Sequence, residues 1–218
     1  SDGHSLLRAM VRAYIDLLDY AGKSDAEGWL ALLLAGHNPQ TVREFSTRVI
    51  DAELHRPLGR EALFPVKDPA VDLATGLRPY SAMGRLQARL KSAGVDCWLV
   101  SASNRYTVEA WAARFLDLPP ERIIAVSPQV KEDILQACLD PELPMTYGRG
   151  KVEAIDQIIG RRPVLAAGNS INDLPMLRRA KSLRLVIDGG PELMRRAGAL
   201  AEREREAWIF QPAFWSSP

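Results

Sequence analysis

The clearest indication of the fold is the segment VLAAGNSINDLPML, residues 164–177. Its first four residues are apolar and predict a short buried strand, Gly168 predicts a turn, and the polar run that ends at Asp173 predicts the start of a helix. Asn169 and Asp173 therefore bring oxygen donors to the point where a strand ends. An ordinary helix-capping turn is the alternative interpretation, because Asn, Ser and Asp all cap helices well.

Strands and helices alternate on both sides of this segment from about Gly76 onward. Apolar runs predict strands at 95–100, 123–126, 164–167 and 183–187, and amphipathic spacing predicts helices at 80–93, 107–116, 151–159, 174–180 and 191–204. This alternation predicts an α/β fold with a Rossmann-like doubly wound parallel sheet. The segment before Gly76 instead has helical spacing, followed by a proline-rich connection. Residues 208–212 are expected to pack on the core.

Two more strand ends carry residues suited to phosphate. Ser101 and Ala102 follow an apolar run, where a hydroxyl and backbone amides can bind phosphoryl oxygens. Lys151 follows a glycine at the positive end of a predicted helix, an unfavourable place for a cation unless it serves a function. Alone, these are a serine-rich turn and a surface lysine. In a doubly wound sheet, however, all three features meet at the carboxyl ends of the strands, where ligands bind.

The composition excludes several classes of function. The chain has 218 residues, 47% of them apolar, and a formal net charge of +1, which gives no general attraction to nucleic acid or membranes. No apolar run is long enough to cross a bilayer. Cys97 and Cys138 form neither a metal-ligand spacing nor a disulfide framework. The ligand must therefore be recognised locally, while the oligomeric state and the compartment, cytoplasm or periplasm, stay open.

The ordered set of strand-end residues resembles the haloacid dehalogenase superfamily. Residues 100–103 look like its second motif, Lys151 like its third and residues 168–173 like its fourth. Residues 1–75 resemble the helical cap domain of the phosphoserine phosphatase-like branch, and residues 76–218 its Rossmann-like core domain. Within that branch, residues 78–80 and the pair Gly150-Lys151 are similar to phosphorylcholine phosphatase-like hydrolases.

The resemblance implies Mg²⁺-dependent hydrolysis of a small phosphorylated metabolite, a phosphomonoester, through an aspartyl-phosphate. It implies that Ser101 and the amide of Ala102 hold the phosphoryl oxygens and that Lys151 neutralises charge on the nucleophile and the phosphate. It also implies that Asn169 occupies a Mg²⁺ ligand position, and that Asp173 belongs to the metal site and orients metal-bound water.

The sequence departs from the family in two places. The family's nucleophilic Asp-x-Asp pair is expected upstream of residue 1. Asp2 and His4 are then candidates for contacting the substrate head group, and the alternative is that Asp2 is the second member of a clipped pair. Asn169 stands where the family usually has aspartate, which removes one negative charge from the metal site. A catalytically impaired binding or regulatory module of the same fold is therefore the second hypothesis.

Overall fold

The computed structural model describes residues 2–62, 72–204 and 206–212. The chain forms two compact units, the first made of residues 1–99 and 103–141 and the second of residues 100–102 and 142–218. The cap and core domains that the sequence predicted, 1–75 and 76–218, follow a different division. They stay a prediction, because a compact unit need not coincide with a functional domain.

The first unit combines helices with antiparallel pairs of strands. Its elements are α1 (Asp2–Tyr20), α2 (Lys23–Leu32), α3 (Pro39–His55), β1 (Gly59–Ala62), β2 (Asp72–Thr75), α4 (Ser81–Ser92), α5 (Arg105–Phe115), β4 (Ile123–Val126), β5 (Pro128–Lys131) and β6 (Ile134–Leu139). β1 pairs with β2 and β5 pairs with β6, both antiparallel. β3 (Leu99–Asn104) has its central residues in the second unit and its ends in the first.

Asparagine side chains begin two helices of this unit. The side-chain oxygen of Asn38 accepts a hydrogen bond from the backbone amide of Thr41 at 2.7 Å. This bond satisfies one of the free N–H groups at the start of α3. The side-chain oxygen of Asn104 accepts a hydrogen bond from the backbone amide of Tyr106 at 2.9 Å, while its side-chain NH₂ group donates to the backbone carbonyl of Ala31 at 3.2 Å. Asn104 therefore caps α5 and also ties it to α2.

Two apolar clusters lie under these helices. One is Val108, Ala112, Leu118, Ile123 and Ala125, and the other is Val42, Tyr106 and Leu135. Burying one aliphatic or aromatic side chain contributes about 1.5–3 kcal/mol. These clusters hold the helices in place more strongly than intrinsic helix propensity does, since that propensity differs by only about 0.7 kcal/mol between ordinary residues.

The second unit contains a parallel sheet with helices between its strands. Its elements are α6 (Arg149–Ile158), β7 (Leu165–Gly168), α7 (Leu174–Arg179), β8 (Leu183–Ile187), α8 (Pro191–Ala201) and β9 (Ala207–Gln211). β8 pairs in parallel with β7 on one side and with β9 on the other, with Gly168 opposite Val186. Of the helices in the described part of the chain, none has the length and apolar character needed to span a membrane.

The α/β fold and the alternating elements that the sequence predicted are confirmed, with one displaced strand. The strand expected at 95–100 begins only at Leu99. The cause lies in the end of α4, where Gly94 has φ 74° and the amide of Val95 donates back to the carbonyl of Leu90 at 2.9 Å. That bond is the helix-ending pattern in which the residue after a left-handed glycine is still held by the helix.

Three strand regions were missed: the β1–β2 pair, the β5–β6 pair and β9. Residues 208–212 had been expected only to pack, and residues 207–211 instead add a third strand to the parallel sheet. The turn between β5 and β6 has Glu132 and Asp133 at φ 52° and 60°. In a sequence, such two-residue turns are usually recognised by glycine or asparagine, and neither residue occupies these two positions.

Candidate functional site

Lys151 is buried in the first turn of α6. Its exposed fraction is 6%, and the helix begins after Gly148, whose φ is 53°. The ammonium donates to a carboxylate oxygen of Asp173 at 2.6 Å and to the backbone carbonyl of Val100 at 3.3 Å. A buried cation near the positive end of a helix is costly unless it is paired, and Asp173 supplies the pairing charge.

Asp173 holds together the loop that follows β7. One of its oxygens accepts the ammonium of Lys151, and the other accepts the amides of Asn169 at 3.1 Å and Ser170 at 3.0 Å. The Ser170 hydroxyl in turn accepts the amide of Asn172 at 3.2 Å. This capping box satisfies the free amides ahead of α7. The capping interpretation of the segment is thus correct, and the same carboxylate also pairs with Lys151.

Three glycines allow the close contacts of this region. A Cβ on Gly168 would lie 2.5 Å from the Cβ of Asp173. A Cβ on Gly189 would lie 1.5 Å from the carbonyl oxygen of Asn169, and one on Gly150 would lie 1.8 Å from a neighbouring backbone oxygen. None of the three positions has room for a side chain, so the loop can pack against backbone only where glycine stands.

The central residues of β3 are tied to the chain ahead of α6. The hydroxyl of Thr146, a residue that is 1% exposed, donates to the carbonyl of Ser101, and the adjacent carbonyl of Val100 accepts Lys151. The backbone at Val100 and Ser101, next to the predicted phosphate-binding residues, is therefore held by two side-chain hydrogen bonds. Phosphate binding by Ser101 and Ala102 stays a prediction, as do the catalytic roles of Lys151 and Asp173.

Side-chain clustering among the described residues does not add support for the predicted Mg²⁺ site. They contain no group of three or more His, Cys, Asp or Glu side chains placed to hold a metal. Mg²⁺ requires several hard oxygen ligands in nearly octahedral geometry. Asn169 offers only a neutral amide oxygen, and both oxygens of Asp173 already accept hydrogen bonds. The metal role of this pair stays a prediction.

The backbone of Asp2 and His4 lies in the first turn of α1, and the side chains of these residues fall outside the described part of the chain. Their predicted contact with the substrate is therefore untested.

Sequence reasoning missed Thr146, Gly189 and Asp188. Asp188 directly follows β8, and its carboxylate accepts the amide of Gly190 at 2.9 Å. Ser101 and Asn169 were selected because polar residues at predicted strand ends are candidates for ligand binding. The same criterion applies equally to Asp188. Thr146 gives no such signal, because its partner Ser101 is 45 residues away in the sequence.

Comparisons with known proteins agree with this architecture. A family model described as haloacid dehalogenase-like hydrolase matches residues 1–178. A search of curated proteins found no significant match. The solved structure of a conserved, functionally unknown protein from Anaerococcus prevotii DSM 20548 is similar with a TM-score of 0.74 at 18% identity, over 87% of this chain and 58% of that one.

A phosphoserine phosphohydrolase-like protein from Francisella tularensis subsp. tularensis SCHU S4 has a TM-score of 0.41 at 21% identity, over 58% of this chain and 56% of that one. A TM-score at this level does not establish a common fold. The chain thus spans less than two thirds of the length of both solved relatives, and the first of them bears on the fold alone.

Proposed function

We propose that this chain, which belongs to the haloacid dehalogenase-like hydrolase family, takes part in hydrolysing a small phosphomonoester. In this proposal, Ser101 and the amide of Ala102 bind the phosphoryl oxygens, and Lys151 neutralises their charge. Asp173 holds Lys151 and the loop 168–173 in position. The substrate is a small phosphorylated metabolite.

The observation that carries the proposal is the burial of Lys151 beside Val100 in β3. Its ammonium contacts both the Asp173 carboxylate and the backbone carbonyl of Val100. Val100 directly precedes Ser101 and Ala102 in the chain. Removing an ammonium from water costs several kcal/mol, which its partners must return. A cation fixed in a poorly hydrated site interacts strongly with the charge on a transferring phosphoryl group.

The proposed chemistry requires a nucleophile. We place it in an Asp-x-Asp pair upstream of residue 1. An aspartate oxygen forms a bond to phosphorus, the phosphorus–oxygen bond of the ester breaks, and the leaving alcohol takes a proton from the second aspartate. Water then cleaves the aspartyl-phosphate and releases inorganic phosphate. Lys151 and the backbone at Ser101 and Ala102 contribute positioning and charge neutralisation.

Mg²⁺ dependence is part of the proposal. Family members generally use this cation, which supplies charge neutralisation at the phosphoryl group when it is bound. Asn169 would offer one oxygen ligand, and carboxylates outside the described residues would complete the site. This part is tested by removing the metal with a chelator.

The test is hydrolysis of a panel of small phosphomonoesters by the full-length gene product, with Mg²⁺ and with EDTA. We expect phosphate release from one or a few substrates, lost in EDTA. Lys151→Ala should lower turnover by about 100-fold or more, the typical cost of removing one preorganised stabilising group. Lys181→Ala is the matched control, since it removes an exposed lysine of the same unit and should leave turnover unchanged. Substantial turnover by Lys151→Ala would refute the scheme.

A binding or regulatory module is the second candidate, favoured by the neutral Asn169 in a position where the family usually has an acid. The variant Asn169→Asp separates the two. An enzyme weakened at its metal site should gain turnover and need less Mg²⁺ for half-maximal rate. A module without a nucleophile should bind a phosphorylated ligand, as measured by calorimetry, and release no phosphate with either residue at position 169.

A further inference from the structure

A cleft of about 770 Å³ lies among α6, α7 and α8 within the second unit. Apolar side chains form part of its lining, among them Val152, Leu174 and Leu200. Five guanidinium groups also line it, and they come from all three helices or their ends: Arg149, Arg178, Arg195, Arg196 and Arg203. The cleft thus combines an apolar lining with a concentration of positive charge in a chain whose net charge is only +1.

The cleft lies on the face of α6 opposite the one that carries Lys151. An α-helix turns by about 100° per residue, so Arg149, Glu153 and Asp156 all stand on the far side of the helix from Lys151. Lys151 is buried, whereas these three residues are exposed and two of them are acids of the lining. A ligand in the cleft would therefore not contact the Lys151 ammonium.

Ion pairs hold three of the arginines in place. Glu192 pairs with Arg195 at 2.8 Å and with Arg196 at 2.6 Å, and Glu204 pairs with Arg178 at 2.8 Å. Glu192 has its pKa lowered by its hydrogen bonds to Arg195 and Arg196, so it stays ionised and keeps both groups oriented.

Two further guanidinium groups, those of Arg149 and Arg203, have no ion-pair partner among the described residues. Against the five arginines, the lining itself contributes only the carboxylates of Glu153 and Asp156, and Asp156 already pairs with Arg179. The cleft consequently retains an excess of positive charge.

We infer that this cleft is a binding site for a small organic phosphate with an apolar or planar body. Its volume lies within the range of about 300–1,000 Å³ that is usual for small-molecule sites. Guanidinium groups bind phosphate through paired N–H donors and also stack on planar rings. The apolar lining is the reason for including an apolar or planar body in the ligand. A bare anion has no apolar surface to bury there, so the lining would add nothing to its binding free energy.

The test uses ATP in EDTA as the probe, with binding measured by calorimetry. ATP should bind the wild-type protein and Lys151→Ala with similar affinity, because the cleft and the proposed catalytic site are on different faces of α6. The double variant Arg149→Ala, Arg203→Ala should bind about 100-fold more weakly, at about tenfold for each charged hydrogen-bond donor. The double variant Arg161→Ala, Lys181→Ala removes the same charge from exposed positions outside the lining and should bind as the wild type does.

Two smaller probes test the class of ligand. Adenosine lacks the phosphates and pyrophosphate lacks the body, so each should bind at least tenfold more weakly than ATP. Absence of ATP binding at millimolar concentration would overturn the inference. Loss of binding in Lys151→Ala but not in the Arg149, Arg203 variant would also overturn it, because the phosphate would then occupy the catalytic site. Pyrophosphate binding as tight as that of ATP would exclude an organic phosphate as the preferred ligand.

Discussion

Among the described residues, each unit buries one carboxylate, and the two carboxylates differ in how exposed their partner cations are. Glu109 in the first unit and Asp173 in the second are both 5% exposed. Glu109 accepts from Arg43 and Arg105, each at 2.8 Å, and these arginine side chains remain 35% and 29% exposed. Asp173 accepts from Lys151, which is itself only 8% exposed at its side chain, and from two backbone amides.

The difference separates a structural ion pair from a candidate functional one. The arginines around Glu109 reach in from α3 and from α5, so this cluster joins two helices while water still reaches its cations. Around Asp173 the cation is buried as well, and it lies beside the backbone that precedes Ser101. Burial of an acid therefore does not by itself indicate a ligand site, and the burial of the partner cation is the more informative feature.

Asp173→Asn should have the largest effect of the changes that test this comparison. It leaves the buried Lys151 ammonium without a countercharge, which typically costs about 3–5 kcal/mol in the free energy of unfolding. Urea unfolding measures the loss, and turnover should fall as well. Asp156→Asn is the control, since its pair with Arg179 is partly exposed and should contribute less than about 1 kcal/mol. Equal losses in the two variants would contradict the distinction.

Gly168→Ala should come next. The added Cβ would stand 2.5 Å from the Cβ of Asp173, so the loop must move at a cost of about 1–3 kcal/mol, and the Lys151–Asp173 contact should weaken with it. Gly198→Ala is the matched control, because nothing lies within 4 Å of a Cβ at this position in α8. That variant should gain up to about 1 kcal/mol from helix propensity. Thermal unfolding of the two proteins, compared with the wild type, checks both signs.

Glu109→Gln should destabilise the first unit by about 1–2 kcal/mol. A hydrogen bond to a charged group is worth about 1.5–3 kcal/mol, and the partial exposure of Arg43 and Arg105 reduces that value. Turnover should be unchanged, which is the point of contrast with Asp173. Glu44→Gln alters an exposed acid of α3 and should change neither quantity. A loss of turnover in Glu109→Gln at temperatures where the protein is fully folded would show that the first-unit cluster also serves the reaction.

Thr146→Val should have the smallest effect, about 1 kcal/mol, because it removes one hydroxyl while nearly keeping the side-chain volume. The carbonyl of Ser101 then loses a partner, and hydrogen exchange of the amides around residue 101 should become faster. Thr47→Val is the control, since the Thr47 hydroxyl bonds only within its own helix. Identical exchange rates at residue 101 in Thr146→Val and the wild type would rule out an anchoring role.

The sequence carried most of the fold because the relevant signals are local. The apolar run 183–187 and the helical spacing of 174–180 each lie within one element, and both elements formed where they were expected. The sequence did not predict the β5–β6 pair, because its turn has a left-handed backbone at Glu132 and Asp133 and lacks the glycine or asparagine that usually indicates such a turn. Leu99, and not Val95, begins β3 because a capping bond at the end of α4 outweighs the apolar run.

The sequence alone identified Ser101, Lys151, Asn169 and Asp173 as the candidate site residues. Asn169 directly follows β7 as expected, whereas Ser101 lies inside β3, because that strand continues to Asn104. The contacts that those residues make depend on the tertiary structure. Lys151 donates a hydrogen bond to Asp173, a residue 22 positions away in the chain, and Gly189 leaves room for the backbone carbonyl of Asn169. Such contacts depend on which strands pair and in which register, and periodicity within one element carries no information about its neighbour.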